Sequence, residues 1–200
     1  MSIRTDRSRN TIIGLRPLAY KLSPSASRQR GLAAIGIELE SPVAMQRVDS
    51  GATVVVCSEE QNGELVGELA VEVFRAALVI DRDGILEEKA HDAADAEHGR
   101  ATPPVPVTLP GASGFRAEVV RGKQQLPYVY LFAVAPDDLG VDGGVLVTVR
   151  SASPDWPAAN EILRTLRVLG RRATTNRAAN DDAEVLQLPL IPPLGPPLRR

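Results

Sequence analysis

The chain has a single cysteine, Cys57, and that scarcity closes off two architectures at once. An intramolecular disulfide framework is impossible, and so is a four-thiolate zinc site. An excess of charge of either sign is also missing. Lys and Arg total 23 against 25 Asp and Glu, a formal net charge of −2. A broad positive field that would neutralise phosphates does not arise from such a balance, so nucleic acid is not expected as a partner. No stretch approaches the roughly 20 apolar residues of a membrane-spanning helix. Residues 1–30 also lack the apolar segment and small-residue cleavage site of a secretory signal. The expectation is a cytoplasmic protein with no membrane span. Lysine is scarce too: Lys21, Lys89 and Lys123 are the only ones among many arginines. With abundant Ala, Pro and Val, that bias fits a GC-rich bacterial genome.

What is present is enough for one domain with appendages: 200 residues, 44% of them apolar, which can bury a core of ordinary size. Residues 1–30 carry Arg4, Arg7, Arg9, Arg16, Lys21, Arg28 and Arg30 against the single acid Asp6, and read as a flexible basic arm. The same composition also suits an organelle transit peptide. Residues 31–170 read as an α+β domain. Ile35, Ile37 and Leu39 alternate with Gly36 and Glu38 as in a half-buried strand, and Thr53–Cys57 is a β-branched run of a more buried one. A turn at Gln61-Asn62-Gly63 follows, then alternation over Glu68–Leu78. An acidic, alanine-rich stretch, 83–99, has helical composition with a weak apolar face. Pro103, Pro104 and Pro106 end it and impose extended backbone.

Three short strands over 115–120, 128–134 and 145–150 form an antiparallel meander. Trp156, Ala159, Ile162, Leu163, Leu166 and Leu169 then fall at helical spacing. The resulting C-terminal amphipathic helix is expected to cover one face of the antiparallel sheet. Residues 171–184 are a polar linker. Residues 185–200 alternate aliphatics with proline and favour polyproline II, because proline lacks the amide donor.

Each candidate for chemistry has a plainer competitor. A helix would bring His91, Asp95 and His98 to one face, a possible set of ligands for a divalent transition metal. The spacing fits no standard zinc signature, however, and no metal or other cofactor is assigned. Asp81-Arg82-Asp83-Gly84 has the start of a calcium loop without its later ligands, and reads as a β-turn. Gly140–Gly144 lacks the lysine and hydroxyl residue of a phosphate loop and reads as a hairpin. Cys57 falls in a buried strand, where a thiol is packing and not chemistry. Glu87 and Glu88 read as a solvated face. Both histidines lie in the acidic stretch, no Gly-x-Ser-x-Gly elbow or comparable arrangement is present, and no catalytic residue is assigned.

The feature least explained by folding is the last one. Leu186, Leu188, Leu190, Ile191, Leu194 and Leu198 lie beyond a polar linker, punctuated by Pro189, Pro192, Pro193, Pro196 and Pro197 and followed by Arg199-Arg200. Aliphatics preorganised by proline suit docking in a protein groove, with Pro192, Pro193 and Arg199 among the contacts. Packing of the segment back on its own domain, or disorder, is the competing reading.

The order of strands, excursion, meander and closing helix resembles the Mog1/PsbP-like sandwich. Tyr128-Val129-Tyr130-Leu131, Val145-Leu146-Val147-Thr148-Val149 and Ala159–Leu169 carry the likeness. The resemblance implies a small binding, assembly or chaperone-like protein and transfers no catalytic residue. The functional expectation is therefore a non-catalytic adaptor whose tail docks on a larger assembly, a secretion apparatus or a protein shell. The alternatives are a chaperone-like protein that binds a hydrophobic segment through its folded domain, and a metal enzyme built on His91, Asp95 and His98.

Overall fold

The computed structural model describes residues 17–78, 80–137 and 142–170. The element order is β1 (Leu18–Leu22), α1 (Pro24–Gln29), β2 (Gly36–Ser41), β3 (Ala44–Arg47), β4 (Thr53–Gln61), β5 (Glu64–Arg75), α2 (Arg82–Ala96), β6 (Arg100–Ala101), β7 (Val105–Leu109), β8 (Ala112–Val120), β9 (Tyr128–Pro136), β10 (Gly143–Ser151), α3 (Pro157–Thr165) and β11 (Arg167–Leu169). The chain is mixed α and β, and its strand pairs are antiparallel. No helix among the described residues is long and apolar enough to cross a membrane.

Eight strands make the large sheet, in the order β3-β4-β5-β10-β9-β8-β6, with β7 also paired to β8. Local chemistry sets its turns. Asn62 and Gly63 join β4 to β5 with φ of 55° and 81°, the double left-handed conformation that a two-residue hairpin demands. Pro106 faces Phe115 on the outer strand β7, where a missing amide donor is tolerated.

Alternation decides what each face buries. On one face Val71, Val73, Val145, Val147, Val149 and Val134 join a core with Ile35, Ile37, Leu39 and Ile162. On the other, Leu131, Ala133, Leu146 and Val119 pack with Ala90 and Ala94 of α2. β10 is buried along nearly its whole length because it lies between these two layers.

The first core is closed by a second sheet of three strands, β1-β2-β11. Here the structure corrects two expectations. Residues 17–30 are not a basic arm: Tyr20 and Leu22 alternate inward on β1 at 4% and 8% exposure. Ser23 then caps α1 by accepting from the Ala26 amide at 3.2 Å. The alternation of Leu18, Tyr20 and Leu22 is masked in sequence by the surrounding arginines.

The helix expected over 156–169 stops at Thr165, and Leu166 turns to extended backbone. Val168 then pairs with Ile37 and is 1% exposed. The spacing of Ile162, Leu166 and Leu169 fits a helix, but Leu166 and Val168 also satisfy a period of two. Backbone pairing with β2 selects the second. Cover of the large sheet is thus shared by the small sheet with α3 on one face and by α2 on the other, and is not the work of a single C-terminal helix.

Candidate functional site

Trp156 stands at the N-cap of α3. It is the only tryptophan and is 6% exposed. Its Nε1–H donates to the Glu59 carboxylate on β4 at 2.6 Å, and its ring packs over Gly67 of β5. The indole is held from three elements, which a buried ring with one polar atom requires. A cleft opens on either side of it.

The first cleft holds about 540 Å³, with Val43, Val66 and Pro157 supplying apolar wall and Glu59, Asp155 and Glu161 supplying acid. The second, about 320 Å³, runs between α3 and the sheet past Arg116, Tyr130, Phe132, Asn160 and Leu163. Several of its polar groups are engaged within the chain, while Arg116 Nε is buried without a hydrogen-bond partner among the described residues. Tyr130 donates to the Pro154 carbonyl at 2.9 Å, Asn160 Nδ2 donates to Asp155 at 3.1 Å, and Arg116 meets Glu118 at 2.7 Å. Burial, with the Glu118 charge beside it, raises the Tyr130 pKa, so the phenol keeps its proton. Apolar walls with a few fixed polar groups are the usual make-up of a recognition site. The lone tryptophan before a helix and the glycine inside a strand are the sequence signals of this site.

A separate ion-pair cluster centres on Glu97. Glu97, which follows α2, meets Arg150 of β10 at 2.6 Å and Arg121 at 2.9 Å, and Arg150 also reaches Glu68 of β5 at 3.1 Å. The hydrogen bond from Arg150 to Glu97 raises the arginine pKa despite partial burial. This cluster pins the end of α2 to the sheet. His91 and Asp95 lie one turn apart on α2, with His91 Nε2 3.6 Å from Asp95 Oδ2. His98 lies beyond the helix at φ 52°, so the expected face of three ligands is not assembled. Among the described residues no group of three or more His, Cys, Asp and Glu is arranged to hold a metal ion.

His91 does line a groove of about 580 Å³ with Glu87, Glu88, Thr102 and Pro103. Asp81 caps α2, its Oδ1 accepting from the Gly84 amide at 3.0 Å, so the expected β-turn is a helix start. Cys57 is fully buried, and desolvation raises its pKa. Glu87 and Glu88 are exposed. Gly143 and Gly144 belong to β10, while residues 138–141 lie outside the described residues. So do the docking candidates Leu186, Leu188, Leu190, Ile191, Pro192, Pro193, Leu194, Leu198 and Arg199.

Compared with protein-family models, with curated proteins and with solved structures, the chain matches none.

Proposed function

We propose that the protein is a non-catalytic binding or adaptor protein whose segment 185–200 docks on a larger protein assembly, such as a secretion apparatus or a protein shell. The observation that carries this reading is that the described residues already build a core on both faces of the large sheet. Leu166 and Val168 are the last described residues in it, at 0% and 1% exposure, and Val168 pairs with β2 in the small sheet. The aliphatics from Leu186 to Leu198 are interleaved with proline, a pattern that suits docking in a partner's groove. The antiparallel meander and the two covering layers also support a Mog1/PsbP-like sandwich as the fold proposal.

A second reading is favoured by the Trp156 clefts: chaperone-like binding of a hydrophobic partner segment by the folded domain. One experiment separates the two. Full-length protein and its Leu194→Asp/Leu198→Asp variant are used for affinity capture from native lysate, and each captured protein is then tested for direct binding after purification. Tail docking predicts a partner that binds the wild type directly and is lost in the variant. A partner retained by that variant but lost in Arg116→Glu/Leu163→Asp, with the variant's thermal melt unchanged, would overturn it in favour of the folded domain.

A further inference from the structure

The acidic cleft beside Trp156 and the charge pattern of segment 194–200 are complementary. Val43, Val66 and Pro157 offer apolar wall, Glu59, Asp155 and Glu161 ring it, and among the described residues no lysine or arginine lines it. Leu194-Gly195-Pro196-Pro197-Leu198 is followed directly by Arg199-Arg200. Proline-rich segments dock against aromatic-lined grooves because their extended shape costs little entropy to fix. Adjacent cations then meet the carboxylates at the rim, where opposite charge sets orientation.

Chain length favours the protein's own segment over a second copy. α3, Pro157–Thr165, begins at the cleft and rises about 13 Å to its far end. β11, Arg167–Leu169, adds at most about 10 Å. The 24 residue steps from Gly170 to Leu194 can span at most about 80 Å, enough to return to the cleft. A segment within reach on the same chain meets its site at high effective concentration.

We propose that segment 194–200 docks in its own chain's Trp156 cleft, forming a latch that an assembly must displace before the tail can engage it. The inference rests on the proposed role of the tail as a docking segment. It adds a regulated state: the free protein is self-engaged, and partner binding competes with the cleft.

The test uses the full chain with Gln187→Cys carrying a nitroxide label, since the native Cys57 is fully buried. Amide signals of Asp155, Trp156, residues 158–161 and Val43 should be lost selectively, return when the label is reduced, and be independent of protein concentration. Asp155→Arg/Glu161→Arg should restore them in the labelled protein. Uniform loss, loss at other residues, or loss that fades on dilution, as docking between copies would give, overturns the latch. So does selective loss that survives charge reversal. No partner enters this measurement, so its failure leaves the tail-docking reading to the capture experiment.

Discussion

Gly67 on β5 lies against the indole of Trp156, so closely that a Cβ at position 67 would clash with the ring carbons Cε2, Cδ2 and Cζ2. A strand glycine usually weakens its strand; here it makes room for the side chain that joins α3 to the sheet. Gly67→Ala should displace the indole and cost about 1–3 kcal/mol, the usual penalty of overpacking. Urea unfolding followed by Trp156 emission measures both effects. An unchanged midpoint with an unchanged spectrum would refute the close approach.

Glu97 is the hub of the ion-pair cluster, its side chain 10% exposed while meeting both Arg121 and Arg150. Glu97→Ala removes the carboxylate from Arg121, which is 13% exposed and keeps, among the described residues, only the Leu126 carbonyl, and leaves Arg150 with Glu68 alone. Loss of one partner of a buried pair costs about 3–5 kcal/mol; the partial exposure of Arg150 puts the expected loss at the lower end. Lys21, 70% exposed beside Glu38, is the control, and Lys21→Ala should cost under about 1 kcal/mol. Equal losses for the two variants would contradict this ranking.

Asp81 and Gly84 form a coupled pair. The Asp81 carboxylate accepts from the Gly84 amide and occupies the space a Cβ at Gly84 would need. Asp81→Ala should therefore cost about 1 kcal/mol through the lost cap. Gly84→Ala should destabilise the wild type yet stabilise the Asp81→Ala background by up to about 1 kcal/mol, the helix preference of Ala over Gly. A double-mutant cycle by chemical denaturation checks the sign change; additive effects would show that the carboxylate does not hold the site.

The buried thiol of Cys57 gives a pH dependence with a definite sign. Desolvation raises its pKa above the ordinary 9.0, so in the window above that value the unfolded chain has released a proton that the folded chain retains. Stability is then intact below about pH 9 and falls as pH rises through the folded value. Burial also raises Tyr20 and Tyr130 above 10.0, which extends the fall further into the alkaline range. Cys57→Ala should flatten the stretch between 9 and 10 in thermal melts taken across pH. An identical profile in the variant would assign the fall to other groups.

The strands β2, β4, β5 and the β8–β10 meander were legible because period-two alternation follows from pleated geometry alone. Burial of Cys57 was legible from its β-branched neighbours for the same reason. α2 was legible as a helix but not as a buried one, since the side chains it turns inward beside Leu86 are Ala90 and Ala94. Small residues give a weak apolar signal and yet permit close approach to the sheet. The site was less legible: Trp156 stood out, but its hydrogen-bond partner Glu59 lies 97 residues away.

The sequence by itself determined the class of the molecule: one cysteine, balanced charge and alternating apolar residues dictate a disulfide-free α+β core. Tertiary structure alone decided which segments close that core. Residues 18–22, 36–41 and 167–169 become one sheet, and the same Leu166-to-Leu169 stretch that fits a helix becomes a strand once β2 offers it hydrogen bonds. Periodicity reports the local geometry a segment favours. Which distant segment supplies its partner depends on packing that no window of sequence contains.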